Sequence, residues 1–379
     1  MSTFGHDNQA MRVKLVDPSA FTPPYDRALA GALAGAGAEV ELITSEFLYG
    51  TVPEAVGYEV NEFFYRRTAA RGLDARGRLP LKLAEHLPDM LRLRGRLDGD
   101  VTHYQWLTMP ALDCLLLSRK GPKVMTAHYI ASPEPKWIEL TTAQRTFESM
   151  DAVIVHTENG ARRLQDLIGL PEDRIRVIPH GAFDYLTRLP DEAPLPIELD
   201  GAKGPVILFF GLMRPYKGID TLLEACAEVE GAELWIVGNP RMDLVELVER
   251  SRKLPVKVRW LPRFIEDREI PAIMRAADLL VLPYRDIEQS GVLYTGLAFG
   301  KAMVLSDVGG FGEVAHKHGA ARLVPPEDPA ALAEALTELT SDPEARAALE
   351  EKAAAAANGP YSWDEIARST IRLYREVGA

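Results

Sequence analysis

At 379 residues with 47% hydrophobic side chains, the chain exceeds what one hydrophobic core ordinarily supports, so two packed α/β domains are expected. Its 43 lysines and arginines against 55 acids give a net charge of −12, which argues against a nucleic-acid partner because backbone phosphates call for a basic surface. Only two cysteines occur, Cys114 and Cys226, and the polar first eleven residues carry no signal core; this excludes a disulfide framework and favours a cytoplasmic protein with no membrane span.

The first strand is R-V-K-L-V-D from Arg12, followed by a helix from Tyr25 to Gly37 and a strand E-V-E-L-I-T. Residues 66 to 96 are rich in arginine with leucines at near-helical spacing. They read first as two solvated helix faces and second as a surface for peripheral contact with an anionic membrane. Strands V-T-H-Y-Q-W, K-V-M-T-A-H, A-V-I-V-H-T and R-I-R-V-I-P follow, each with a loop or helix behind it, the alternation of a parallel sheet wrapped by helices. His103, His128 and His156 each stand at the end of one of these strands. Taken singly, such a residue is better explained as a core histidine satisfied by backbone than as a ligand.

Between Pro179 and Gly204, dense Pro, Asp, Glu and Gly without periodicity marks the linker. The strand pattern then restarts with P-V-I-L-F-F-G, A-E-L-W-I-V-G, V-K-V-R-W-L, L-L-V-L-P-Y, A-M-V-L-S-D and A-R-L-V-P, a second doubly wound domain. Ligands of such sheets sit beyond the carboxyl ends of the strands, so the turns after Phe210, Val237, Leu261, Tyr284 and Asp307 should line one crevice. The expected division is 11–188 for the amino domain, 189–358 for the carboxyl domain and 359–379 for a terminal helix that returns to the amino domain.

Two of those turns have the construction of anion sites. In F-F-G-L-M-R-P-Y-K-G-I-D, Gly211 lets backbone approach a ligand while Arg214 and Lys217 supply charge, Arg as a bidentate fork and Lys as a compact cation. In E-Q-S-G-V-L-Y-T, Ser290 is placed to cap a helix running from Gly291 to about Gly300, with the amides of Gly291, Val292 and Leu293 left free to meet phosphate oxygens. Thr295, one turn in, has a hydroxyl that suits a ribose as well as it suits a helix surface. Two anion sites in one half of the chain point to a diphosphate ligand.

The order G-L-M-R-P-Y-K-G, A-A-D-L-L-V-L-P-Y and S-G-V-L-Y-T-G-L-A-F-G-K-A-M-V-L-S-D-V-G-G-F-G-E-V resembles the nucleotide-sugar half of glycosyltransferase family 4, retaining enzymes of the GT-B fold. T-A-H-Y, I-P-H-G and the terminal Y-S-W-D-E-I-A-R-S-T-I-R-L-Y resemble the family's corresponding segments, with residues 45 to 100 matching least. The resemblance implies two Rossmann-like domains facing a cleft that closes on the donor. It implies retaining transfer of a hexosyl unit from a UDP- or GDP-linked sugar to an acceptor hydroxyl, in glycolipid, polysaccharide or glycoside synthesis. It also places His128 against the donor sugar and the nucleobase near Arg263 and Phe264, in the turn after V-K-V-R-W-L, through backbone groups.

Three departures are visible. The family's two glutamates, eight residues apart, fall here on Ile287 and Thr295, so Glu288, one position displaced, is the candidate for the donor sugar and Thr295 for the ribose. The arginine commonly next to the first-turn glycine is replaced by Leu212, leaving that charge to Arg214. The glycine pair after the first strand is replaced by D-P-S-A-F-T-P-P-Y. No enzymic nucleophile stands out, and the leaving diphosphate is expected to be stabilised by Arg214, Lys217 and the helix amides.

Neither a cofactor nor a metal is expected. Asp98-Gly99-Asp100 matches the acidic string by which a different transferase fold holds a metal, but it lies just before a strand and reads as a turn, and His316 with His318 lacks a third ligand at suitable spacing. Two other activities fit the same architecture: a nucleotide-sugar epimerase, and a non-catalytic nucleotide-sugar-binding partner.

Overall fold

A computed structural model describes residues 10–48, 50, 52–70, 78–118, 120–132 and 135–379 of the chain, with no account of the Arg78 side chain. It divides into two units. The amino unit runs to Pro179 and takes back Trp363–Ala379, while His180–Ser362 forms the carboxyl unit. Each contains one sheet whose strand pairs are all parallel.

In the amino unit the strands are β1 (Arg12–Asp17), β2 (Glu39–Ser45), β3 (Glu59–Phe64), β4 (Val101–Tyr104), β5 (Lys123–Thr126), β6 (Ala152–Val155) and β7 (Ile175–Val177), in the order β3-β2-β1-β4-β5-β6-β7. In the carboxyl unit they are β8 (Val206–Phe210), β9 (Glu233–Val237), β10 (Lys257–Leu261), β11 (Leu279–Leu282), β12 (Ala302–Ser306) and β13 (Arg322–Val324), in the order β10-β9-β8-β11-β12-β13. Strands buried on both faces must be apolar throughout. V-I-L-F-F, L-L-V-L and A-M-V-L-S accordingly have every residue buried. The strand order reverses between β1 and β4 in one sheet and between β8 and β11 in the other, the points at which doubly wound sheets open a ligand crevice.

The sequence expectations differ from this architecture at a few places, each with a physical reason. The first helix is Pro23–Gly35 rather than 25–37, because Pro23 and Pro24 occupy its opening positions, where a missing N–H costs nothing. Strand β3 was not anticipated. It sits at the sheet edge, and E-V-N-E-F-F leaves its first four residues outside the core, so it lacks the apolar run of its neighbours.

The unit boundary falls at Pro179/His180 rather than 188/189, since Ala182 and Leu186 pack into the carboxyl core and the Ala182 amide donates to the Tyr361 carbonyl at 2.9 Å. The second boundary falls at Ser362/Trp363 rather than 358/359, because Tyr361 belongs to that same core. The helix Trp363–Glu376 packs in the amino unit, with Trp363 edge-on to Tyr25 at 5.2 Å and the Tyr374 hydroxyl 2.7 Å from His103 Nδ1.

The acidic string before β4 is a turn held by ion pairs, Asp100 with Arg12 at 2.8 Å and Asp98 with Lys14 at 3.3 Å. Within the arginine-rich stretch, Arg71 and Arg76 lie outside the described residues. The helix Arg78–Arg96 buries Met90 and Leu93 while Leu79, Leu83, Leu87 and Leu91 stay exposed on it at four-residue spacing. Among the described residues no helix is long and apolar enough to cross a membrane.

Candidate functional site

The β8/β11 switch point brings the two expected anion turns together. Gly211 directly follows β8 at φ +115°, and a Cβ built on it would stand 3.1 Å from Val292 Cγ2 and 3.7 Å from Lys217 Nζ. The glycine, the lysine and the opening turn of the helix Gly291–Ala298 thus share one small volume. Gly218, at φ +68°, lets the R-P-Y-K turn close against the end of β11: a Cβ there would fall 1.9 Å from the Pro283 carbonyl oxygen. Arg285 fastens the same turn, donating to the Pro215 carbonyl and pairing with Asp220 at 2.6 Å.

Lys217 is only 6% exposed. Its Nζ donates to the Tyr284 hydroxyl at 2.7 Å and lies 4.3 Å from that ring's centroid. No carboxylate among the described residues pairs with it. Loss of water, with the nearby Arg214 charge second, pushes its ammonium down to about 8. A cation this buried, hydrogen-bonded to a neutral phenol, has the chemistry that suits an anionic ligand. Arg214 itself is exposed and, among the described residues, has no ion-pair partner.

Several expected contacts are arranged otherwise. Ser290 occupies the position before the helix with extended backbone, but its side chain makes no cap bond, because its hydroxyl turns to Tyr284 at 3.4 Å and extends the Lys217–Tyr284 line. The Leu293 amide is not free; it donates to the Ser290 carbonyl at 3.0 Å, which leaves Gly291 and Val292 as the amides with no carbonyl one turn earlier to bond. Thr295 is buried rather than on the helix surface, and its hydroxyl donates back to the Gly291 carbonyl at 3.0 Å.

Glu288 lies half-buried in the loop before the helix, its carbonyl accepting from the Gly310 amide at 3.3 Å. After β10, Arg263 is committed to Glu269, at 2.9 and 2.6 Å, and to the Phe264 carbonyl, while the Phe264 ring is exposed. A base docking there would meet backbone and the aromatic face. His316 and His318 lie on the helix Phe311–His318, and the described residues hold no cluster of three metal-ligating side chains.

His128 belongs to the amino unit, past the end of β5. Its Nε2–H donates to Gln105 Oε1 at 3.0 Å, its Nδ1 faces His156 Nε2 at 3.4 Å, and its ring stacks on Trp106 with centroids 5.2 Å apart and planes 13° apart. Burial pushes His156 down to about 4 and His103 down to about 3, so both are neutral near pH 7. His103 is fully enclosed by Tyr374, Thr126 and Gln105, a structural arrangement.

Sequence reasoning missed what stands at the β1/β4 switch point. Ser19, after β1, and Thr108, after β4, share a hydrogen bond of 2.7 Å. Behind them the Tyr65 hydroxyl reaches Thr108 at 3.1 Å and His86 Nδ1 at 2.6 Å, and His86 Nε2 meets Asp113 at 2.6 Å. Burial pushes the Tyr65 phenol up to about 12, so it stays protonated. Among the described residues three non-glycine positions have positive φ, and two of them belong here: Ala20 at 48°, next to Ser19, and Tyr65 itself at 54°. Left-handed backbone at ordinary residues costs energy and gathers where a structure needs it. Asp17 holds the loop from below, accepting from the amides of Ser19, Phe21 and Thr22, and the Thr22 hydroxyl in turn accepts from Trp106 Nε1 at 2.9 Å.

Residues 204–342 match the family model described as glycosyl transferases group 1, and residues 27–182 that of Glycosyltransferase Family 4. A D-inositol 3-phosphate glycosyltransferase of Nocardia farcinica is 30% identical over 80% of this chain and 72% of its own length. A phosphatidyl-myo-inositol mannosyltransferase of Mycolicibacterium smegmatis is 29% identical, covering 97% of this chain and 94% of its own. Among solved structures, the Anabaena protein HepE in complex with UDP-glucose superposes with a TM-score of 0.69 at 19% identity, over 97% of this chain and all of that one. Paired parallel-sheet Rossmann-like domains of this kind make the GT-B fold.

Proposed function

The chain belongs to glycosyltransferase family 4, and from that membership we propose that it transfers a hexosyl group with retention from a nucleoside diphosphate sugar to a hydroxyl of a polyol-type acceptor. The observation that carries the donor half is the desolvated Lys217 beside Gly211 and the opening amides of the helix Gly291–Ala298. The bond from the anomeric carbon to the β-phosphate oxygen breaks, and negative charge grows on the leaving diphosphate. Lys217, Arg214 and the amides of Gly291 and Val292 would stabilise that charge, which lowers the barrier. The acceptor oxygen attacks from the face the diphosphate leaves, and a phosphate oxygen takes its proton. Glu288 and the backbone around Phe264 are assigned to sugar and base, and His128 to the sugar; uracil is the favoured base because HepE was solved with UDP-glucose. The inositol-type acceptors named for the relatives supply the polyol class.

A thermal-shift panel of UDP-, GDP-, ADP- and dTDP-sugars tests the donor, because a ligand bound to the folded state raises its melting temperature by mass action. A UDP-sugar is expected to give the largest rise, and Arg214→Ala to weaken its binding by about 1 to 2 kcal/mol, the range for one charge-assisted bond at an exposed side chain. A panel with no shift for any nucleotide would sink the reading.

Peripheral membrane contact is a second proposal, favoured by the exposed Leu79, Leu83, Leu87 and Leu91 on a helix ending in Arg92, Arg94 and Arg96. Co-sedimentation should be greater with phosphatidylglycerol vesicles than with phosphatidylcholine ones and should fall as salt is raised. Equal partition into both would remove it.

A further inference from the structure

The amino unit contains a pocket of about 300 Å³ that the donor chemistry does not use. Its walls are Trp106, Leu107, Met125, Ile130, Ile138 and Phe147, contributed by the loop after β4, by β5 and the segment following it, and by the helix Trp137–Glu148. Of the polar groups on its lining, those of Glu139, Tyr129, Thr146 and Trp106 are committed elsewhere. Glu139 accepts from the Tyr129 hydroxyl at 2.9 Å and from the amide and hydroxyl of Ser132 at 2.7 and 2.9 Å, and Thr146 donates to the Thr142 carbonyl at 2.9 Å. What the pocket offers a ligand is therefore apolar surface. Its size suits about ten non-hydrogen atoms, taking the share of volume that each small group occupies in a liquid.

Its position says whose atoms these are. Met125 is on β5, His128 follows, and Tyr129 and Ile130 return to the pocket wall. Trp106 joins the two places: its ring stacks on His128 and also lines the pocket, and its Nε1–H is held by Thr22 of the loop after β1. Trp106, Tyr129 and Ile130 follow the carboxyl ends of β4 and β5, where ligands of such folds bind, and Phe147 closes the far end of the pocket from the last turn of its helix. We propose that this pocket is an aglycone subsite, receiving a hydrocarbon group carried by the acceptor next to the hydroxyl that is glycosylated. The inference rests on the transferase reading for the word acceptor, and on the amino unit alone for the binding of hydrocarbon.

The test is calorimetric titration of the full chain with methyl and octyl β-D-glucoside, the octyl compound kept below its critical micelle concentration. Each methylene taken out of water is worth about fourfold in affinity, so octyl glucoside should bind at least about a hundredfold tighter than methyl. Ile138→Asp, at an exposed wall position where folding is not at risk, and Ala143→Trp, which fills the space, should each bring the two glucosides within about threefold of one another. The melting-temperature rise given by UDP should be unchanged in both variants. Equal affinity of the two glucosides in the unmodified chain, or octyl affinity that survives both substitutions, would overturn the proposal. Absence of any nucleotide response, with the chain-length dependence intact, would remove the transferase reading and leave the hydrocarbon site standing.

Discussion

Lys217→Met is expected to weaken binding of a nucleoside diphosphate by about 2 to 3 kcal/mol, roughly a hundredfold, more than any other single change in the carboxyl unit's anion site. Methionine keeps the stem's length, so packing against Tyr284 survives and the loss is one of charge. The effect is large because the ammonium is already stripped of water: the cost of desolvating it is met on folding, and a docking phosphate adds attraction with little further dehydration. The same circumstance fixes a pH dependence. In the free protein the Lys217 ammonium is pushed down to about 8, whereas a bound diphosphate favours its charged form and raises it again. Affinity is therefore full below about pH 8 and is lost as pH rises through that value, by up to about tenfold per unit. Titrations from pH 6.5 to 9.5 should show this slope in the unmodified chain and none in Lys217→Met. A flat profile for both would mean that Lys217 does not touch the phosphates.

How much of this was readable beforehand depended on whether the signal was local. That Gly211 and Lys217 lie together was legible because a glycine at a strand end followed by two cations spans only a dozen residues. Tyr284 was not, since an aromatic ending an apolar strand looks like any core residue; only the fold brings its hydroxyl to Lys217 Nζ. Capping by Ser290 was a sound propensity argument that lost to a competing partner, the same Tyr284. Thr295 was readable as a helix residue but not as a buried one, because its neighbours Tyr294 and Gly296 are also buried and the helix has no polar face to mark direction. The alternating strands gave both parallel sheets, yet β3 escaped for want of an apolar run, and the boundary at His180 moved because Ala182 and Leu186 serve the core that follows them. The line Asp113–His86–Tyr65–Thr108–Ser19 left no sequence trace at all. Its hydrogen-bonded neighbours are separated by tens of residues and meet only where strand order reverses.

That line is also where a single substitution should do most damage to the amino unit. Asp113 and His86 are both fully buried, and the carboxylate is satisfied by His86 Nε2 at 2.6 Å and by the Met109 amide at 2.8 Å. His86→Leu keeps much of the volume but leaves the carboxylate short of a partner in a site closed to bulk solvent. Breaking a buried pair in this way costs roughly 3 to 5 kcal/mol. A second loss accompanies it. Tyr65 is held in left-handed backbone at φ 54° by its hydroxyl's bond to His86 and by its amide's bond to Asp89 at 3.0 Å, and with the first removed that conformation is less well secured.

A chain of two compact units need not melt in one transition, so the appropriate readout is amide hydrogen exchange in β3 and β4 rather than a single melting temperature. Exchange there should accelerate by roughly two to three orders of magnitude, while β8 to β12 and nucleotide binding in the carboxyl unit stay as they were. Replacing both partners, His86→Leu with Asp113→Leu, should recover part of the loss, since no charge is then left stranded, though the Met109 amide would still want its acceptor. If the double variant is no more stable than the single, the cost of His86→Leu lies in packing and not in the orphaned carboxylate.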